Sequence, residues 1–298
     1  PIRTSASPAS LTRRSSGGFV ILPSLPRSST ARDGRGAPRA LAALLGVLLL
    51  VTAAAGQALV PLGSEFQINS FTPSSQGRPI VAAQASGRFV VVWESVGSPG
   101  NDNSVYSVQG QRYASDGSPL GSQFQVNTYI SSNQTDPAVA ADAAGNFVVV
   151  WTSTGSPSSD NNSSSIQGQR FAADGTPLGS QFQVNTFETN TQWRPSIACD
   201  LAGNFVVTWS GAGAVGDDQS GVYARVFGST GVAVGGQFRV NLYINSVQQQ
   251  PSVAIDANSD FVVSWTSYGQ DSDRDGVYAR RFTLQGLPLS NEILVNTT

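Results

Sequence analysis

The chain has 298 residues, 40% of them hydrophobic and only 12% charged, with 17 Lys+Arg against 19 Asp+Glu and a formal net charge of −2. Histidine is absent and cysteine occurs once, which excludes Ser-His-Asp and Cys-His nucleophile systems, His-ligated zinc or copper, and any internal disulfide. Lysine and methionine are also absent, and 31 Gly and 16 Pro punctuate short aromatic and β-branched runs, the composition of a turn-rich globular β protein with a core.

Residues 1–39 hold seven Arg and one Asp among many Ser, Pro and Gly, and Ala40–Val51 is a nearly pure Ala/Leu/Val run. Small residues follow, through Ala53-Ala54-Ala55 to Gly56-Gln57-Ala58. A basic flank, a short apolar stretch and small residues at −3 and −1 read as an export signal cleaved after Ala55 or Ala58. Residues 1–58 are therefore expected to be a basic, Ser/Pro/Arg-rich leader and signal peptide, disordered apart from the apolar segment 40–55. Residues 59–298 are expected to be the tandem-repeat β domain, secreted or at the cell surface. Retention of the apolar run as an anchor and a transit peptide are the competing expectations; after cleavage no membrane insertion is expected. The long basic stretch and the initial Pro1 suggest a misplaced start or an incomplete gene. Residues 59–298 carry ten Arg and eighteen Asp+Glu, a net charge of −8, which argues against nucleic acid or anionic lipid as a partner.

From residue 63 onward the chain repeats itself. Gly121-Ser-Gln-Phe-Gln-Val-Asn-Thr128 returns as Gly179–Thr186, with divergent copies at Gly63, Gly235 and Ser290, so that the starts lie 58, 58, 56 and 55 residues apart. Each interval contains Gln-x-x-Pro, then Phe-x-x-x-Trp, then a strand ending in an aromatic at Tyr113, Phe171, Phe227 or Phe282. This gives a leading strand at 63–70 and repeats at about 71–128, 129–186, 187–242 and 243–298.

One repeat reads as four strands: A at Pro137–Asp142, B at Phe147–Thr152, C at Ile166–Phe171 and D at Phe182–Thr186. Gly145-Asn146 and Asp174-Gly175 are the hairpin turns, since these residues accept positive φ. Strand B decides the architecture. Phe147, Val149 and Trp151 share one face and Val148 and Val150 the other, so both faces are apolar and the sheet is sandwiched. Four-stranded antiparallel sheets stacked face to face around an axis are the blades of a β-propeller. The expected fold is all-β, a propeller of about four four-stranded repeats. Immunoglobulin-like domains need ~100 residues each and do not fit the period. The lone leading D strand suggests a C-terminally incomplete copy of a propeller with five or more blades; the rival is a four-bladed ring with one redundant strand.

Pro251–Ala254, Gly145–Trp151, Gly276–Phe282 and Phe124–Thr128 resemble the repeats of bacterial secreted and surface proteins of the FVVVW…QRF…FQVNT type. The resemblance spans about residues 63–298 and lapses at Val226, where other repeats have Arg112, Arg170 and Arg281. It implies an extracellular scaffold, often beside calcium-binding modules, without catalytic residues.

The acidic stretch Asp271-Ser-Asp273-Arg-Asp275-Gly276 has three carboxylates at alternate positions, a pattern able to wrap a hard cation. Asp271, Asp273 and Asp275 are the metal candidates, and calcium the cofactor, against the alternative of a solvated acidic turn. Position twelve is Phe282, so the loop is not an EF-hand. The Gln of Gln-x-x-Pro is expected to satisfy backbone groups where one repeat crosses into the next. Trp93, Trp151, Trp209 and Trp265 are expected in the core, and so is Cys199. Trp193, read as lying in a D–A loop, and Arg194 are the ligand-contact candidates, an aromatic beside a guanidinium. Glu94 alone puts an acid after the strand-B Trp; its equivalents are Thr152, Ser210 and Thr266.

The expected function is a non-enzymatic binding or adhesion scaffold for an extracellular protein or glycan, with weak calcium binding in the acidic loops. The alternatives are a glycosidase-like propeller enzyme using carboxylates, with Glu94 its one acid to test, and a structural spacer of a cell-surface assembly.

Overall fold

The computed structural model describes residues 63–296 apart from 99, 104, 157–159, 161–162, 213–219 and 273. Residues 1–58, expected to be a leader and signal peptide with the apolar segment 40–55, lie outside the described residues, within which no helix is long and apolar enough to cross a membrane.

The fold is an all-β propeller of four consecutive four-stranded antiparallel blades, each laid out in chain order. Blade 1 comprises β1 (Gln76–Ala83), β2 (Phe89–Val96), β3 (Tyr106–Tyr113) and β4 (Phe124–Gln125). Blade 2 comprises β5 (Gln134–Ala141), β6 (Phe147–Thr154), β7 (Ser164–Phe171) and β8 (Phe182–Gln183). Blade 3 comprises β9 (Gln192–Cys199), β10 (Phe205–Ala212), β11 (Ser220–Phe227) and β12 (Phe238–Arg239). Blade 4 comprises β13 (Gln248–Ile255), β14 (Phe261–Tyr268), β15 (Asp275–Phe282) and β16 (Ile293–Leu294). The first strand of each blade starts three residues earlier than the sequence pattern implied, and the fourth shrinks to two residues.

The turns form where short polar residues bond their own backbone. Asp142 Oδ1 accepts the Asn146 N–H at 2.9 Å while Gly145 takes φ 90°. Asp174 Oδ1 accepts the Thr176 N–H at 2.8 Å ahead of the next fold-back.

Packing between blades uses both faces of the second strand. Val90, Val92, Val108 and Val126 of blade 1 and its trailing strand meet Val139, Phe147, Val149 and Trp151 of blade 2. The same constellation recurs between blades 2 and 3 and between blades 3 and 4. First strands of successive blades pack on one another, so they form the inner rim of the propeller and the two-residue fourth strands lie outermost. Arg112 Nη1 donates to Ala173 O at 3.0 Å and Arg170 Nη1 to Thr230 O at 2.5 Å. These arginines staple blades 1 and 2 each to the turn of the next blade.

The conserved-looking glutamines within the repeats have a partner that the pattern did not reveal. Gln76, Gln134, Gln192 and Gln248 accept the indole N–H of Trp93, Trp151, Trp209 and Trp265 at 3.1, 2.8, 3.0 and 2.9 Å. Their amide groups also donate to backbone carbonyls, as at Ser131 O at 3.2 Å. Each buried indole is thus satisfied from within its own blade, which removes a desolvation penalty of about 1–3 kcal/mol.

The two ends of the propeller differ from its middle. Ile68 of the leading segment packs on Val91, Trp93 and Tyr113, and Phe66 tilts on Tyr113 at 5.5 Å. That is the pose of Phe124 on Phe171, also 5.5 Å, so the leading segment stands where the fourth strand of a preceding blade would. An apolar cleft of about 240 Å³ remains beside it, between Ile68, Trp93 and Pro79, in space that a whole blade fills at the internal interfaces. At the far end, β14 alternates buried and more exposed residues, unlike β6 and β10, which are buried at every position but the last.

Candidate active site at the inner rim

A bulge in the first strand of every blade builds the rim. Thr135 pairs with Thr152 and Ala138 with Val150, so Asp136 and Pro137 together oppose one residue, Trp151. The same shift occurs in the other three blades. Proline has no N–H to offer the ladder and is tolerated at such a bulge. The residue ahead of each Pro is turned into the left-handed region: Arg78, Asp136, Arg194 and Gln250 have φ of 49°, 51°, 51° and 58°.

In blades 2, 3 and 4 the bulge releases a backbone N–H that finds an acceptor on the preceding blade. Arg194 N donates to Thr152 Oγ1 at 3.2 Å and Gln250 N to Ser210 Oγ at 3.0 Å. Asp136 N donates to Glu94 Oε1 at 2.5 Å. The acceptor is always the residue after the strand-B Trp, and only between blades 1 and 2 is it a carboxylate. There the network extends. Arg78 pairs with Asp136 Oδ1, and its Nη1 lies 3.5 Å from Glu94 Oε1. Thr152 Oγ1 donates to Asp136 Oδ2 at 3.4 Å. One continuous chain of contacts therefore runs Arg78–Glu94–Asp136–Thr152–Arg194 across three blades.

The two carboxylates are held in unlike environments. Glu94 is 6% exposed, and burial pushes its carboxyl above the ordinary glutamate range, an effect that the Arg78 charge only partly offsets. Asp136 is half-buried, with Arg78 on one oxygen and Thr152 on the other. A proton-retaining acid beside an oriented carboxylate is the pairing that general-acid chemistry with a second carboxyl partner requires.

Of the residues singled out in the sequence, Glu94 and Arg194 join this rim. Trp193 lies within β9, opposite Ser210 and half-buried, so its placement in a loop is corrected: the strand begins three residues ahead of the Pro. Cys199 is half-buried, and burial, with Asp142 and Asp200 adding to it, pushes the thiol up to about 12. Asp271 lies against Gly276, Asp275 opens β15 exposed, and Asp273 lies outside the described residues. Among the described residues no group of three or more His, Cys, Asp or Glu is placed to hold a metal ion. Acids in the corresponding loops serve as pins: Asn127 Nδ2 donates to buried Asp102 at 2.7 Å and Asn185 Nδ2 to buried Asp160 at 2.9 Å.

Asp136 escaped the sequence reading. Its signal was present, because the residue before each Pro varies as Arg, Asp, Arg and Gln while the Pro after it and the Gln two positions ahead of it repeat. A single strand pattern does not reveal that this position leaves the ladder.

No protein-family model matches the chain, and no curated protein matches it in sequence. Solved structures do. The α-L-arabinanase of Penicillium chrysogenum complexed with arabinobiose is 14% identical over 72% of this chain and 65% of its own, with a TM-score of 0.50. The α-L-arabinofuranosidase of Fusarium graminearum in complex with an iminosugar inhibitor is 14% identical over 73% of this chain and 65% of its own, at 0.49. The endo-arabinase of Bacteroides thetaiotaomicron is 17% identical over 67% of this chain and 72% of its own, at 0.42. At these identities the likeness concerns the fold, and the chain spans just under two thirds of the length of the first two. The expectation of a non-enzymatic scaffold is corrected on this point: the fold is that of an arabinanase, which favours the class held as the alternative.

Proposed function

We propose that this chain is a carbohydrate-active β-propeller that cleaves glycosidic bonds at the inner rim, with Glu94 as general acid and Asp136 as the second carboxylate. The observation that carries the reading is the meeting of these two acids across the blade 1–blade 2 boundary. Burial raises the carboxyl of one above the ordinary glutamate range, and the other is oriented by Arg78 and Thr152. Glycoside hydrolysis needs two carboxyl groups flanking one bond, an acid for the leaving oxygen and a carboxylate as base or nucleophile. The arabinanase with the comparable fold was solved with arabinobiose, so arabinan and arabino-oligosaccharides head the substrates to try. The leader supports an exported protein acting on an extracellular glycan, and the repeat text ties it to bacterial surface proteins.

The test is reducing-sugar release from arabinan, arabinoxylan and galactan by the full chain, its Glu94→Gln variant and its Asp136→Asn variant. General acid–base residues contribute about 10²–10⁴-fold, so either variant is expected to lose at least 10²-fold. Turnover that survives both substitutions, or no turnover on any glycan, sinks the reading.

A further inference from the structure

The rim carries two guanidinium groups in equivalent positions, and they are not in equivalent states. Arg78 pairs with Asp136, and its Nη1 lies 3.5 Å from Glu94 Oε1. Arg194, one blade beyond Asp136, is exposed, and its side chain has no acceptor among the described residues, while its backbone N–H is fixed to Thr152 Oγ1 at 3.2 Å. Thr152 in turn bonds Asp136, so the Arg194 backbone is one side chain removed from the second carboxylate. Its backbone is held in the left-handed region at φ 51° by the bulge, and half-buried Trp193 precedes it in β9. Among the described residues the Arg194 guanidinium forms no ion pair, whereas Arg78, at the equivalent position of blade 1, pairs with the carboxylates of the network.

We propose that Arg194 reads a carboxylate on the glycan: the substrate is a mostly neutral polysaccharide carrying uronic acid residues, one of which pairs with this guanidinium. The proposal rests on the rim being a glycan site. A planar guanidinium takes a carboxylate in a bidentate pair. The net charge of −8 over residues 59–298 repels a polyanionic backbone such as polygalacturonate, which selects an isolated acidic sugar in a neutral chain.

The experiment compares the full-length protein's affinity for an oligosaccharide bearing one uronic acid with that for the same oligosaccharide reduced to the alcohol at that carboxyl. Isothermal calorimetry on the Glu94→Gln background prevents turnover. A charge-assisted hydrogen bond corresponds to a preference of about tenfold or more for the acidic form. Arg194→Gln is expected to erase that ratio. Gln250 already occupies the equivalent left-handed position at φ 58°, so the substitution installs a residue the fold accepts there. Arg194→Asp copies Asp136 and is expected to invert the ratio. A preference that survives Arg194→Gln, or equal binding of both forms by the parent, overturns this inference and leaves the glycan site standing. Binding of neither form, together with no turnover by the unsubstituted chain on any glycan, brings both down.

Discussion

Blades 3 and 4 carry the same repeat motifs and are buried differently. Val222 and Val240 of blade 3 and its trailing strand are fully buried, whereas Val277 and Val295, their repeat equivalents, are 41% and 54% exposed. The opposite faces agree: Trp209 and Trp265 are 0% and 2% exposed. A repeat therefore specifies a blade, and a neighbour specifies which of its faces becomes core. Antiparallel pairing is local to the fifty-odd residues of a repeat, while burial of its valines is a property of the next repeat along.

Three measurements press on that difference. The largest effect is expected at the shared face: Trp209→Ala and Trp265→Ala should each cost about 3–5 kcal/mol in chemical denaturation, and should cost alike. A Trp265 variant that is much milder would mean that blade 4 is loosely docked on blade 3. Next come the outward valines. Val222→Ala should cost about 2 kcal/mol, from two lost methyl equivalents and a cavity, and Val277→Ala well under half of that. Equal costs would show that the blade 4 face is covered in solution. Smaller still are the staples. Arg112→Gln removes a guanidinium bond to Ala173 O and should cost about 0.5–1.5 kcal/mol. Arg281→Gln, at an exposed position of blade 4, should be neutral within the error of the denaturation curve.

The same contrast explains what could be read in the sequence. Phe-Val-Val-Val-Trp is apolar on both faces, and that alone told of a sandwiched strand and hence a stacked-blade fold. It failed for β14, because Val262 is written as core yet is 37% exposed. The rim was only half legible. Glu94 stood out as an acid among hydroxyls at a repeated position. Asp136 did not, because its role depends on a bulge that frees its N–H and turns its side chain toward Arg78. Trp193 was misplaced for a related reason: a Pro three residues from the strand start looked like the start itself.

The faintest signal, and the one that links fold to chemistry, is the pH dependence of stability at Glu94. Its folded carboxyl keeps the proton to higher pH than in the unfolded chain, because burial raises it more than Arg78 lowers it. In that window the folded state binds more protons than the unfolded one, so stability falls as pH rises. The contribution is complete below the ordinary glutamate value and is lost through the raised one. Glu94→Gln removes the titration but keeps an oxygen for the Asp136 N–H. Plotted against pH from 4 to 8, as the test range chosen on ordinary carboxylate values of about 4, the parent's stability should therefore decline more than the variant's. The same protonation makes Glu94 competent as an acid, so the alkaline limb of kcat/KM should track the pH at which that difference develops. Parallel stability profiles would mean that Glu94 ionises freely at the rim, and a carboxylate that ionises freely there is not the group that protonates a leaving oxygen near neutral pH.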